Sequence, residues 1–486
     1  MAKEGPPSVW HNFIMNFLLK TSGIVFAAIS YPYAYRVLGA EGVGRTSFVT
    51  SVVSLFSLAA LLGIPTYGIR ACARVRDDKA TLSRTVRELL MVQMVSTAVV
   101  MLILVGCVQL IPRLTENAEL FYIQVVALLI SACGTEWYFA GTEQYTYIAI
   151  RSTLIRAVIC ALTFLLVRRP TDYGTYMILL AGETAIPCLL NLPQLHRQLS
   201  GGFVWERHQL RRHIRPTLVF FFQTAAITVY TNLDSAMLGF LQSNYWVGIY
   251  DAALKIKIVL CCFTTCLGTV LSPRLSYYFH TGRLDDFDKN VRKSTEFTVI
   301  TGLPLAIFFC LTAPECVAVL FGEGYAAAAL PFRILSPTVL LIGLSSVTGT
   351  QLLTAMGKEK IVMCSCLTGA VVDFTANWVL IPRYAANGAA IGTLLAEAAV
   401  LVVQICALRR QNYYPMFKEV KWPATLAAAV MAMAIPAVLK MWQLSPILYM
   451  AIALPGYFLC AAGVLIVLRE PLLCSALQRI YRSPDK

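Results

Sequence analysis

Ionisable side chains are scarce in this chain. Asp, Glu, Lys and Arg make up 14% of the 486 residues, against about 25% in an ordinary soluble domain. Acids are the scarcer sign, 26 against 40 basic residues. Almost no stretch is left for a water-soluble domain. Long loops are lacking too. The segments expected on the outer face of the membrane are at most about ten residues, as at 36–45 and 322–329. An enzyme working on the outer face needs a loop to carry its catalytic groups, so that class is excluded. The inner loops hold no Walker motif, nucleotide-binding Gly loop or HExxH zinc motif. The five histidines fall near ends expected to be cytoplasmic, and none pairs obviously with a Ser or Cys nucleophile. The chain is therefore expected to be neither an enzyme nor an ATP-driven pump, and to need no cofactor. Ten-residue segments alternating apolar and polar, the mark of an outer-membrane barrel, are absent. No cleavable signal peptide is apparent, because the first apolar run is too long.

Apolar residues fill the space that charge leaves. They form 58% of the chain, and mean hydropathy is +0.67. Runs of 18 or more recur from end to end, each long enough to cross a bilayer. The pattern predicts an all-α polytopic membrane protein with about fourteen spans. The first six lie near 13–35, 46–68, 89–112, 120–140, 147–167 and 174–195. The next six lie near 217–240, 247–272, 297–321, 330–355, 361–382 and 387–408, and two more near 424–440 and 447–468. With a cytoplasmic N-terminus, most Lys and Arg fall on inner segments, as the positive-inside rule requires. Both termini are then cytoplasmic. The formal charge of +14 is accounted for by topology and anionic lipid, with no nucleic acid partner. The fifteen cysteines lie mostly within apolar helices, and no CxxC pair has a zinc partner. They read as small apolar filler.

A faint repeat runs through the spans. RVLGAEGVGRTSF (36–48) joins spans one and two; MLGFLQSNYWVGIYDA (237–252) joins spans seven and eight. This predicts two pseudo-symmetric six-helix bundles, 1–200 and 201–410, with two additional helices and a tail in 411–486. Repeats of this kind suit alternating access. Within the spans sit ionised groups, costing about 2.5–3.5 kcal/mol each at a helix centre. The cations are Lys20, Arg156, Lys255, Lys257 and Arg333, with Arg70 and Arg74 at the inner end of span two. Lys255 and Lys257 point about 200° apart on a helix, so at most one faces a cavity squarely. The acids are Asp234, Asp373, Glu183 and Glu397. They either bind H+ or Na+ and couple its gradient to transport, or balance a buried cation. Glu136 and Glu143, at the inner end of span four, suit loop or gate contacts.

Several blocks, in order, carry a family resemblance: YPYAYRVLGAEGVGRTSF with GIPTYGIRACARVRDD, EWYFAGTEQYTYIAIRS (136–152), NLDSAMLGF with VGIYDAALKI, VLFGEGYAAAALPFRILSP (319–337) and DFTANWVLIPRYAANGAAIGTLLAE (373–397). Together they resemble the Wzx-type oligosaccharide repeat-unit flippases, the polysaccharide transport family within the multidrug/oligosaccharidyl-lipid/polysaccharide (MOP) exporter superfamily. The resemblance implies transfer of an undecaprenyl-diphosphate-linked glycan from the inner to the outer leaflet of the bacterial inner membrane. The product would feed O-antigen, capsule or exopolysaccharide synthesis beside a polysaccharide polymerase and other assembly proteins. A diphosphate favours Lys and Arg in the cavity, which gives the cations above their expected role. The alternatives are a lipid II-type flippase, a cation-coupled exporter of drugs or small solutes, and a non-transporting scaffold for glycan-assembly enzymes.

Overall fold

A 61-residue apolar helix would be about 90 Å long, three times the roughly 30 Å hydrocarbon core. The stretch Ile14–Arg74 has that length and is broken twice. The computed structural model, which describes residues 9–199, 210–411, 413, 420–470 and 472–474, places the first break at Gly39, inside α1 (Val9–Leu61). Its φ of 69° belongs to the left-handed region that glycine enters without penalty. The second break is at Leu62–Gly63, before α2 (Ile64–Arg74). The first turn of the expected repeat (36–48) therefore lies across the Gly39 kink.

The chain continues through α3 (Lys79–Leu110), α4 (Pro112–Thr115), α5 (Ala118–Ser131), α6 (Glu136–Gly141), α7 (Tyr145–Leu166), α8 (Tyr173–Gln198) and α9 (Arg211–Leu241). Next come α10 (Asn244–His280), α11 (Leu284–Leu311), α12 (Ala313–Phe321), a 3-10 turn (Glu323–Ala328), α13 (Ala329–Leu335) and α14 (Thr338–Ser345). A π-helical segment (Ser346–Leu353), α15 (Glu359–Tyr384), α16 (Ala386–Arg409), α17 (Trp422–Ala432), α18 (Ala434–Met441) and α19 (Pro446–Val467) complete it. The described residues contain no strand. Eleven helices among them are long and apolar enough to cross a membrane, twelve if the pair Glu323–Leu335 and Thr338–Leu353, bent by 43°, is one span. The expected figure of about fourteen counts the two sides of Gly39 separately and adds 217–240, which lies within α9. Many large apolar side chains are exposed, such as Leu102, Phe222, Val371 and Leu459. On a soluble protein they would form sticky patches; here they meet lipid.

Contacts divide the chain into two units, Met1–Phe240 and Leu241–Lys486. The expected bundle boundary at 200–201 lies outside the described residues, as do 412 and 414–419 at the start of the expected 411–486 segment. In the first unit α1 packs on α7 and α3, α5 on α8, and α2 on α6. The short α2 and α6 meet closely. A Cβ on Gly68 would lie 2.6 Å from the Trp137 ring, and Ile64, Cys72, Val86, Leu89, Trp137 and Phe139 form the core around them. In the second unit α15 packs along α16, and α10 on α11, α13 and α14.

The breaks leave backbone carbonyls without helical partners, which a membrane interior tolerates only if protein supplies donors. One turn of α3 supplies them. Gln93 Nε2 donates to the carbonyls of Ser131, Ala132 and Gly134 at the α5–α6 break, at 3.0, 3.2 and 3.2 Å. Ser96 Oγ donates to Ala60 O at 2.6 Å, just before Leu62–Gly63.

One helix in each unit closes with a similar turn. After α6, Glu143 N–H donates to Ala140 O (3.1 Å) and Gln144 N–H to Phe139 O (2.8 Å). After the π segment, Gly357 N–H donates to Thr354 O (3.0 Å) and Lys358 N–H to Leu353 O (2.8 Å). Each pair is a Schellman-type cap. The left-handed position is Glu143 (φ 60°) in one and Gly357 (φ 71°) in the other. The next residue reaches a glutamine at the end of the unit's later helix: Gln144 to Gln198 at 2.9 Å, and Lys358 to Gln411.

Candidate functional site

Charge inside each unit is sorted into neutralised and un-neutralised groups. In the first unit, α7 carries Arg156 and α8 carries Glu183. Their side chains pair at 3.2 Å. Arg156 Nη1 also donates to Leu19 O at 2.7 Å and to Ser22 Oγ at 3.2 Å, both on α1. Gly23 makes this approach workable, since a Cβ there would already sit 3.2 Å from the guanidinium carbon. Beside the pair is a cavity of about 70 Å³ lined by Ser30, Tyr31 and Tyr176. That is room for a few waters. Lys20, next to Leu19, is exposed and makes no hydrogen bond or ion pair among the described residues. Asp234 on α9 is buried.

The second unit separates the two lysines of α10. Lys255 pairs with the buried Asp251 one turn earlier, at 3.6 Å. Lys257 is 8% exposed and makes no hydrogen bond or ion pair among the described residues. Lys257 and Glu397 of α16 both lie within electrostatic reach of Cys261. On α15, Asp373 and Asn377 are one turn apart and essentially unexposed. Asn377 Oδ1 lies against Gly392 of α16, where any Cβ would clash with it. The neighbouring Thr393 hydroxyl bonds Tyr250 Oη at 2.8 Å, and Glu397 follows one turn later, also buried. Arg333 stands apart, exposed, with Nε donating to Cys310 O at 3.0 Å. Arg70, in the first unit, lies over the Phe220 ring, 4.9 Å from its centre.

Two ionic centres were not singled out by the sequence reading. Arg151 of α7 is buried, with a side chain only 5% exposed. It bonds Asn191 Oδ1 of α8 and Glu136 Oε2 at 3.0 Å, and lies over the Tyr147 ring. It falls inside the expected span 147–167, so an intramembrane charge was there to be noticed. Glu88 of α3 is completely buried. It accepts from Arg84 (3.2 Å), Arg212 (3.0 Å) and His213 (2.8 Å). Arg212 and His213 are more than 120 residues away on α9, and no sequence signal links them. Tyr67 Oη bonds His213 Nδ1 at 3.0 Å. One neutral tautomer satisfies both contacts: Nε2–H donates to Glu88 and Nδ1 accepts from Tyr67. Burial pushes the His213 imidazole below its ordinary value, against the upward pull of Glu88.

Among the described residues no cluster of three or more His, Cys, Asp or Glu side chains could hold a metal ion. Compared with known proteins, residues 9–279 match the family described as "Polysaccharide biosynthesis protein". A relative in Escherichia coli (strain K12), named "Putative O-antigen transporter", is 23% identical over 406 residues, covering 83% of this chain and 98% of its own. The fold is similar to that of the lipid II flippase MurJ in an inward closed conformation, with TM-score 0.71 at 10% identity, covering 94% of this chain and 100% of that one. It is also similar to an inward-facing multidrug resistance MATE transporter of the MOP superfamily, with TM-score 0.61 at 12% identity, covering 82% and 96%. The chain belongs to the polysaccharide biosynthesis protein family, as a multi-pass membrane protein with the fold shared by MurJ and the MATE transporters.

Proposed function

We propose that the protein flips a polyprenyl-diphosphate-linked oligosaccharide from the cytoplasmic to the outer leaflet of the bacterial inner membrane, by alternating access and without catalysing a covalent step. The observation that carries this is the state of Lys257. Its stem is buried, yet no carboxylate neutralises it among the described residues, while Lys255 two positions away is held by Asp251. An ammonium kept in a membrane protein without a counter-ion is costly. That cost is offset when an anion visits, and the cargo of O-antigen, capsule or exopolysaccharide assembly carries a diphosphate. Lys20 in the first unit also makes no ion pair among the described residues, but it is exposed. Arg156 is already neutralised by Glu183 and serves as a secondary, polar lining group, as Lys255 does beside Asp251. Arg333 bonds a backbone carbonyl and stays available at the surface.

The acids divide similarly. Glu183 is a pairing acid. Asp373, one turn from Asn377, which lies against Gly392 next to Thr393, offers a hard oxygen donor that suits Na+ or a transferable proton, and we assign it to coupling. Glu397, a buried acid of α16, is a further candidate for charge pairing. Asp234 is the other buried candidate for coupling. The glycan would pass to a polymerase and other assembly proteins on the outer face.

The test is leaflet exchange in reconstituted vesicles, with a polyprenyl-diphosphate oligosaccharide and an imposed H+ or Na+ gradient. The expected result is gradient-driven exchange that Lys257→Gln reduces at least tenfold and Lys255→Gln reduces less. Exchange no faster than in empty vesicles under either gradient overturns the proposal. Gradient-driven export of small organic cations by the same vesicles would assign the protein to drug export instead.

A further inference from the structure

The Glu88 centre has too much positive charge for one carboxylate. Arg84 and Arg212 both bind Glu88. Arg74 and Arg212 are close enough to act electrostatically on Tyr67. Tyr67 stacks on Phe220 at 6.1 Å and 29°, and Arg70 covers the same Phe220 ring. The groups thus form one continuous patch where α2, α3 and α9 meet, at the end of the first unit expected to face the cytoplasm. Among the described residues four guanidiniums stand there against one carboxylate, and burial lowers the pKa of His213. The other acids close by are committed elsewhere: Glu143 pairs with Arg76 at 2.8 Å, Asp77 also lies by Arg76, and Asp78 caps the N-terminus of α3. Arg70 and Arg74 are exposed and have no carboxylate partner among the described residues. Beside them α9 presents Ile214, Leu218, Val219 and Phe222, all exposed. The surface is cationic at one edge and apolar along the next two turns of helix.

We propose that this patch is a loading site for the head group of a lipid diphosphate, separate from the cations at Lys20 and Lys257. Arg70 and Arg74 take the two phosphates, Arg212 is held in place by Glu88, and the isoprenoid chain lies along the exposed face of α9. A single-phosphate phospholipid matches this less well, because it offers roughly one negative charge to a patch whose four guanidiniums have a single carboxylate between them. The Phe220 ring fixes the Arg70 guanidinium plane and leaves its edge for bidentate bonding. The proposal rests on the reading of the cargo as polyprenyl-diphosphate-linked, and it concerns binding before translocation.

The experiment measures equilibrium binding, not exchange, on the full-length protein in nanodiscs of phosphatidylcholine. The probes are undecaprenyl diphosphate, undecaprenyl monophosphate and phosphatidylglycerol. The expected result is diphosphate binding weakened at least tenfold in the double variant Arg70→Gln/Arg74→Gln, with a shallower salt dependence than the parent. Arg70→Lys, which keeps charge but not the planar fork, should recover only part of it. Lys440→Gln, whose ammonium is paired with Glu315 in the second unit, should leave diphosphate binding unchanged. Diphosphate affinity unchanged in the double variant overturns the proposal. So does tighter binding of phosphatidylglycerol than of the diphosphate at these arginines, which would make the patch a bilayer-lipid contact. A protein that binds the diphosphate as expected but shows no leaflet exchange would refute the flippase reading and leave this site standing.

Discussion

Glu88→Gln removes a single buried charge, and the structure predicts a substantial stability loss from it. The carboxylate is fully buried and accepts from three side chains on two helices. Removing one partner of a buried ionic set typically costs about 3–5 kcal/mol, because the remaining charges are stranded. Here two of the donors escape part of that cost. The side chains of Arg84 and Arg212 are 41% and 42% exposed, so they can turn to water. His213, at 5%, cannot, although the amide oxygen of the introduced glutamine would still accept its Nε2–H. The net expectation is about 2–3 kcal/mol. Equilibrium unfolding in mixed detergent micelles, titrated with SDS, reads it directly. The cycle with His213→Gln should show a coupling of about 1 kcal/mol or more, since the two side chains share one hydrogen bond. A control is Glu183→Gln, whose pair with Arg156 is partly exposed on both sides, 26% and 39%, and should cost under about 1 kcal/mol. A loss below about 0.5 kcal/mol for Glu88→Gln, or additive effects in the cycle, would refute the reasoning.

Gly63→Ala should be far more damaging than its one methyl group suggests. The φ is +72°, and the new Cβ would meet the backbone of Phe221 and Thr217 on α9; reduced yield and a lower unfolding midpoint would show it. At Glu143, left-handed with φ 60°, Gly should be more stable than Ala by about 1 kcal/mol in the same unfolding assay. Both variants lose the exposed Arg76 pair, so the difference reports backbone strain alone. His213 has a depressed value in the fold, so the folded state holds fewer protons than the unfolded one. Its stabilising contribution is therefore present above the ordinary histidine value of about 6.5 and is lost as pH falls through the folded value. Parent stability should drop on acidification below about 6.5, and His213→Gln should flatten that slope.

Much of the architecture was legible because membrane insertion is a local criterion. A run of about twenty apolar residues partitions into lipid wherever it lies in the chain. So the expected segments 89–112, 147–167 and 361–382 each coincide with a helix, α3, α7 and α15. The breaks were less legible. Gly39 falls in the expected turn at 36–48, but Gly63 is an ordinary glycine in the sequence, and the α5–α6 break is stabilised by Gln93, some forty residues distant. The π segment at Ser346–Leu353 has no signal in the apolar pattern that precedes it.

The charged groups show the division most sharply. The sequence alone determined that Lys20, Arg156, Lys255, Lys257, Glu183 and Asp373 lie within apolar spans, because depth follows from position along a helix that must cross about 30 Å of hydrocarbon. Only the tertiary structure decided which of them are neutralised. Pairing requires two side-chain atoms within about 4 Å, and that depends on which helices touch and on how each is rotated. Arg156 finds Glu183 across the α7–α8 contact, Lys255 finds Asp251 on its own helix, and Glu88 gathers cations from α3 and α9. Lys257, two positions from Lys255, is turned by about 200° to a face with no carboxylate partner among the described residues.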